Sequence, residues 1–431
     1  MNFKTIITLL LYLFLNTVFA AQQDLSAKQL QAATTINQLG ADLLHAKFKH
    51  GEVNNAMVSS VSLYYALSVL QQGAAEHSSD LLNSVLLSGS GLNLNDIAPA
   101  LAEKIVADKR DDYPAIAHFQ LANSIWSTNG VTTDKPFFFA EQFKSNATGF
   151  YDAMPYPVDF EAEGAGLIND WASEKTNGLI PKIIDQGTLK QFLWVIMNAA
   201  YFEGAWGTPM RAIPENSSFE FTTLNGKNIK PKSISTYDYK ASVLENEDGS
   251  VAFKLPFLGN KYSFIVHFPA ESEIDLQQWL LEKGSVDMPS IIDDVLDNKS
   301  EWFQLTIQMP SFSFSDGIEM KKGSPIADAL GLAPLFLNQV NLSLLVDKQK
   351  TPLENQATTV GLIKQQSKIE LDEKGVKAAA VTLIGGIKVT SVERPLPSRT
   401  ILLDRPFAFS IIENSSRTML FNGVLTNPSV M

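Results

Sequence analysis

Residues 371–382 read Leu-Asp-Glu-Lys-Gly-Val-Lys-Ala-Ala-Ala-Val-Thr. An acidic turn and one glycine precede a run of very small residues, where a strand pattern should continue. Gly385-Gly386 comes next, followed by a polar, proline-bearing stretch over residues 388–399. Small side chains hold a strand in place weakly, yet they enter a crowded sheet without clashing. The segment therefore reads as a loop able to become a strand.

Side-chain parity supports that reading. Successive strand residues face opposite ways. If Val376 faces the core, so do Ala378, Ala380, Thr382 and Ile384, and none of them is charged. Lys377, Ala379 and Val381 then fall on the outer face, where a charge is harmless. Gly375 can serve as a hinge, because glycine accepts backbone angles that other residues avoid. No proline occurs between Gly375 and Thr390, as an inserting central strand requires. A plain exposed loop with chance alanines is the competing reading, since an uncharged face of five positions can arise by accident.

Outward from this segment, the chain has an ordinary globular composition, 45% apolar and 19% charged over 431 residues. Length alone would suggest two or three domains. No linker, low-complexity run or short repeat offers a place to cut, so one large domain is expected. Residues 1–20 read as a secretory signal: Lys4 is a positive flank, residues 6–15 are an apolar core, and Val18-Phe19-Ala20 is a small-x-small cleavage site. That apolar run is too short to span a bilayer comfortably. The mature domain is then 21–431, on a secretory route to an extracellular or periplasmic location.

The formal charge is −12, and loss of residues 1–20, with one lysine and no acid, makes it −13. Nucleic acid, anionic membrane and heparin-like partners need a basic surface, so all three are disfavoured. Lys104, Lys109 and Arg110 do cluster, but Asp108, Asp111 and Asp112 interleave with them. There is no cysteine, hence no disulfide, no thiol nucleophile and no thiolate metal site. Glycosylation sequons occur at Asn146, Asn216, Asn298, Asn341 and Asn414.

Helical periodicity covers residues 25–49, through Ile36, Leu39, Leu43 and Leu44. Ser59-Ser60 before an apolar run marks a second helix start, and that helix is apolar enough to lie in the core. Residues 95–108 read as a surface helix, and residues 164–175 as a helix ended by Asn177-Gly178. Strands are expected at 121–127, 192–202, 251–256, 262–268, 303–314, 401–403, 407–412 and 418–425. A short helix is expected at 325–330. Helices early and strands late favour α+β over alternating α/β.

Enzyme signatures are missing. The histidines, His45, His50, His77, His118 and His267, show no metal-ligand spacing, and no metal or cofactor is expected. No G-x-S-x-G elbow, phosphate loop or dinucleotide fingerprint occurs. His267, between Val266 and Phe268 in an apolar strand, reads as structural. Asp372-Glu373 reads as solvated charge.

Several blocks, in order, resemble the serpin family: Asn169-Asp170-Trp171 with Thr176-Asn177-Gly178-Leu179-Ile180; residues 194–206, Trp-Val-Ile-Met-Asn-Ala-Ala-Tyr-Phe-Glu-Gly-Ala-Trp; Leu255-Pro256-Phe257; Met309-Pro310-Ser311-Phe312; Leu330-Gly331-Leu332; Asp404-Arg405-Pro406-Phe407-Ala408-Phe409; and residues 421–428, Phe-Asn-Gly-Val-Leu-Thr-Asn-Pro. The resemblance covers essentially the whole mature chain. It implies an α+β serpin fold, a single domain of helices and three sheets, with an exposed reactive-centre loop at about 373–400. It also implies a suicide substrate for a serine protease. The target cleaves the loop and forms an acyl-enzyme, and the loop inserts as a new strand, a behaviour for which this family is a standing example. The chain would supply no catalytic residue of its own.

Carried over residue by residue, the hinge comprises Glu373, Gly375, Val376, Lys377, Ala378, Ala379, Ala380, Val381 and Thr382. Val376 and Lys377 stand where the family often has threonine and glutamate. Sheet opening maps to Ser59, Ser62, Trp194, Asn198 and Gln365. Ser60 replaces a usual proline, and Gln365 stands where histidine is common. Gln365 is expected to bridge Asn198 and Ser59, and Trp194 to pack where the hinge first enters. Family spacing from Glu373 puts the reactive bond at Val389–Thr390, for an elastase-like target. A count one residue shorter gives Lys388–Val389 and a trypsin-like target. A monomer is expected. A non-inhibitory serpin that binds a ligand or partner protein is the alternative, and a secreted hydrolase a third class that lacks its constellation.

Overall fold

The computed structural model describes residues 3–50, 54–88, 93–106, 117–129, 135–215, 217–237, 239–270, 276–297, 301–337, 340–352, 359–376 and 395–429, with side chains from residue 27 onward. The N-terminal helix runs Phe3–His50, longer than its periodic stretch suggested. No helix among the described residues is long and apolar enough to cross a membrane. The helix Ser60–Gln71 starts at the expected cap, where the Ser59 hydroxyl accepts the Ser62 N–H at 3.3 Å. The two helices touch at Gly40, where a side chain would fall 1.9 Å from Ser60 Oγ. Glycine is needed there for close approach. Ser60 in turn donates to Asn422 Oδ1 at 3.0 Å, and Asn422 donates to the Gly40 carbonyl at 2.9 Å.

The main sheet has six strands: β1 His118–Thr128, β2 Ala153–Val158, β3 Trp194–Ala205, β4 Phe312–Met320, β5 Ile363–Asp372 and β6 Gly375–Val376. Their spatial order is β4-β5-β6-β3-β1-β2. All neighbours are antiparallel except β1 and β2, which are parallel. Strand β2 carries Pro155 and Pro157, which fits its place at the sheet edge. The helix Ser60–Gln71 lies beneath the sheet and buries Leu63, Leu67 and Leu70. The helix Gly164–Lys175 packs with Trp126, Ile180, Ile183 and Met197 in a separate apolar cluster. Asn169 fixes the segment that leads back to the sheet: its Oδ1 accepts from Ile183 and Ile184, and its Nδ2 donates to the Ile184 carbonyl at 2.8 Å.

A ten-stranded sheet and a two-stranded ribbon complete the described strands. The expected hairpin Val251–Pro256 with Tyr262–Phe268 is there, in register Val251 to Phe268. The region 303–314 is not one strand. It divides at Ser311 into Glu301–Pro310, in the larger sheet, and β4 in the main sheet. Pro310 has no N–H to continue a ladder, and Ser311 instead donates its N–H to the Lys232 carbonyl at 2.9 Å. Residues 95–108 correspond to a helix Leu94–Ile105 that buries Ile97, Ala98 and Leu101, so one face of it is core. The three sheets and the helices form one α+β domain.

Candidate functional site

Strand β6 is only two residues long, and it sits between β5 and β3. Val376 is opposite Leu371 of β5 and Gly204 of β3; Gly375 is opposite Asp372 and Ala205. Gly375 has φ +143°, and a side chain there would fall 1.9 Å from the Gly204 carbonyl oxygen. Both the angle and the close approach demand glycine. Val376 is 3% exposed and belongs to the main core. Val376 thus meets the condition on which the parity of Ala378, Ala380, Thr382 and Ile384 rests, and those residues lie outside the described ones.

The turn before β6 is tied to the start of the slot. Lys374 N–H donates to Asp372 Oδ1 at 2.8 Å. Trp206 donates its ring N–H to the Asp372 carbonyl at 2.9 Å and its backbone N–H to the Lys374 carbonyl at 3.0 Å. The Trp206 ring stacks on Phe257, with centroids 5.0 Å apart and planes 10° apart. Trp206 is thus the tryptophan at this mouth. Trp194, expected here, lies at the opposite end of β3, about 36 Å away at ~3.3 Å per residue. Both residues flank one strand, and the sequence gives no direction for it.

Below β6, no backbone pairing joins β3 to β5 among the described residues. The two strands are tied instead by polar side chains over the start of the helix Ser60–Gln71. Gln365 accepts the Ser59 N–H at 2.9 Å and donates to the Ser59 carbonyl at 2.8 Å. Asn198 is reached by Ser62, whose hydroxyl donates to Asn198 Oδ1, and Asn198 donates to Asn123 on β1. Gln365 therefore does not bridge to Asn198 directly. Its amide oxygen and nitrogen each bond to the Ser59 backbone, and Ser62 makes the other half of the link. Asn123, which the sequence reading missed, passes the chain on by donating to the Tyr151 carbonyl at 2.8 Å. All these groups are buried, so each bond is made in a low-dielectric setting that penalises its loss.

A cavity of about 40 Å³ lies between the strands, lined by Leu63, Leu67, Ile196, Asn198, Ile363 and Gln365. At the far end, the Phe192 ring packs on Gly361, where a side chain would be 2.4 Å from the ring. A wider cavity of about 580 Å³ opens there beside Trp194, Asp185 and Lys321. On the outer face of β3, burial and then the Glu203 carboxylate, which accepts at 2.5 Å, push the Tyr201 hydroxyl well above its usual pKa. No group of three or more metal-ligating side chains is found among the described residues. Lys377, Ala378, Ala379, Ala380, Val381, Thr382, Lys388, Val389 and Thr390 lie outside the described residues.

A family model described as "Serpin (serine protease inhibitor)" matches residues 34–428. The chain belongs to the serpin family. Serpin-Z2B of Triticum aestivum is 29% identical over 384 residues, covering 87% of this chain and 90% of the relative. Among solved structures, Arabidopsis AtSerpin1 in its native stressed conformation is 24% identical with TM-score 0.73, covering 93% of this chain and 98% of its own. Tengpin, a thermophilic serpin in its native state, is 22% identical with TM-score 0.71, covering 91% and 94%. At these identities the structures establish the serpin fold alone. Serpins are generally protease inhibitors rather than enzymes.

Proposed function

We propose that this serpin is a secreted suicide inhibitor of serine endopeptidases, carried out of the cell by the signal at residues 1–20. The observation that supports it best is the two-residue strand Gly375–Val376, already seated between β3 and β5 with a fixed register. Continuing that register sets Ala378 between Ile369 and Phe202, Ala380 between Ser367 and Ala200, Thr382 between Gln365 and Asn198, and Ile384 between Ile363 and Ile196. Small or apolar groups meet the core, and the one inward hydroxyl arrives beside the two buried carboxamides. On the outer face, Lys377 falls between Glu370 and Glu203, a charge match that suits this chain's lysine. Gly386 comes level with Trp194, so the slot takes twelve residues.

In this reading the protease serine attacks the carbonyl carbon of Val389. The Val389–Thr390 bond breaks, Thr390 leaves with a new amino terminus, and an ester joins Val389 to the enzyme. The freed strand fills the slot and carries the ester to the far end before water can cleave it. If Lys388–Val389 is the bond used, the target is trypsin-like rather than elastase-like.

The test mixes purified protein with elastase and with trypsin, followed by denaturing electrophoresis and mass spectrometry of the released C-terminal peptide. A complex that survives denaturation is expected, with a peptide starting at Thr390. Loop cleavage without any complex, in a cleaved form no more heat-stable than the intact one, would replace this reading with a non-inhibitory serpin.

A further inference from the structure

His267 lies near the end of the strand Tyr262–Phe268 and is 1% exposed. Its hydrogen bonds fix its tautomer. The Ser250 hydroxyl donates to Asp248 Oδ1 at 2.6 Å, so it can only accept across the 3.3 Å that separates it from His267 Nε2. The ring proton of neutral His267 therefore sits on Nε2. Nδ1 carries a lone pair, is buried, and has no hydrogen-bond partner among the described residues. The cross-strand neighbours are Ala252 and Ala408, whose side chains offer none.

An irregular segment seals this ring. The Trp279 indole meets the imidazole edge-on, with centroids 4.7 Å apart and planes at 64°. Trp279 ends a four-residue helix, Leu276–Trp279, and the chain continues as a π-helical turn, Leu280–Gly284. Gly284 folds back onto the indole, where a side chain would fall 2.8 Å from it. Ser285 closes the turn, donating its N–H at 3.3 Å and its hydroxyl at 3.1 Å to the Leu280 carbonyl. Turns of this kind are rare and are found frequently at functional sites. Among the described residues two charged groups act on the ring. Asp248, through Ser250, favours a proton there, and Lys283 of the π turn opposes it.

Acid would put a second proton on the ring, at Nδ1, and turn that atom into a donor. In the closed arrangement this donor has no acceptor, and a buried charge without one is costly. Water reaches it only if Trp279 and the π turn lift away. We propose that residues 276–285 form an acid-released flap over His267, closed while the ring is neutral and released when Nδ1 gains a proton. The strand beneath stays paired with Val251–Pro256 and Phe407–Glu413. Release uncovers Trp279 and Leu280, both buried at neutral pH, so acid gives the protein an apolar surface it otherwise lacks. The inference does not depend on the inhibitory reading.

The test is hydrogen exchange of the full chain at pH 7 and pH 4.5, read by mass spectrometry and corrected for the chemical pH dependence of exchange. Burial holds the ring's pKa down at about 4 against an ordinary 6.5, so a flap that restores the ordinary value should open about fiftyfold more at the lower pH. Peptides within 276–285 should report that rise while peptides within 262–268 remain protected over the same interval. In His267→Gln, whose carboxamide can still donate to Ser250 but takes up no proton, the rise should vanish. A change under about threefold in the parent would overturn the proposal. So would exchange of 276–285 only together with 262–268, which would mean that acid loosens the sheet itself. Both results are read in the parent, so they decide the matter even where the variant fails to fold. A folded variant that keeps the full rise would also reject the flap, by placing the responsible proton elsewhere.

Discussion

The two ends of one gap are closed by different means. Near Trp206, β3 and β5 are held apart by Gly375 and Val376, and the join is backbone pairing plus one buried apolar side chain. Farther down, the link between the same two strands among the described residues runs through Gln365, Ser59, Ser62 and Asn198, with the helix Ser60–Gln71 as intermediary. The first end is already a sheet. The second is a set of polar ties that a strand could replace. A sheet that is finished at one end and tied at the other can zip in only one direction.

Five outcomes would break or sharpen that contrast. The largest is expected from Ala380→Pro, which puts a residue without an N–H into the strand the slot would receive. The covalent fraction with the target protease should drop below about a tenth of the parent's, with the loop still cut at the same bond. Unchanged covalent yield would mean the slot is not filled by this segment.

Gly375→Ala attacks the finished end. The left-handed angle costs about 1–3 kcal/mol, and the methyl group would meet the Gly204 carbonyl at 1.9 Å. Loss of about 3 kcal/mol, or expulsion of β6, is expected, seen as faster amide exchange at residues 204–205 and 371–372. Exchange as slow as in the parent would show that the backbone there can give.

A third effect lies outside both ends. Burial pulls the His267 pKa from 6.5 down to about 4, with Asp248 opposing and Lys283 assisting. The unfolded chain therefore binds this proton first. Stability from this group is complete above pH 6.5 and is lost as pH falls towards 4. Each tenfold in proton affinity is worth about 1.4 kcal/mol, so the loss approaches about 3 kcal/mol. Chemical denaturation at pH 7 and pH 4.5 measures it, and in His267→Gln the pH slope should shrink by that amount. An unchanged slope would place the acid sensitivity elsewhere.

Gln365→Ala attacks the tied end. It orphans the buried Ser59 N–H, whereas the Ser59 carbonyl keeps the Leu63 N–H at 3.2 Å. About 2 kcal/mol of native stability should go, and a shift in thermal midpoint under about 1 °C would contradict the bond's importance. The smallest effect belongs to Lys377→Glu. In the loop-cleaved form it should cost about 0.5 kcal/mol or less through repulsion with Glu203 and Glu370, and salt should erase it.

Much of this was legible in the chain. Ser59 announced its helix because a serine before an apolar run is a cap, and the hairpin 251–268 followed from alternation around Gly259-Asn260. The strand period gave the relative parity of the residues after Val376, but which face meets the core came only with the structure. Strand β2 was not foreseen, because Pro155 and Pro157 argue against a strand unless its edge position is known. The helices Glu76–Leu87 and Glu141–Tyr151 were likewise missed, each being polar over much of its length. The exchange of Trp194 for Trp206, and of a direct Gln365–Asn198 bond for the Ser62 link, have one cause. Sequence order tells which residues share a strand, but direction and cross-strand partners are set by long-range packing.

Trp206 and Trp194 stand at the two ends of β3, one hydrogen-bonded to the turn beside the seated glycine, the other beside the open far end. The protein thus carries its own pair of optical gauges. A strand travelling down the slot would disturb the fluorescence of Trp206 first and of Trp194 last. With the other four tryptophans replaced, the lag between the two signals would give the speed of travel along the sheet, with no dye attached.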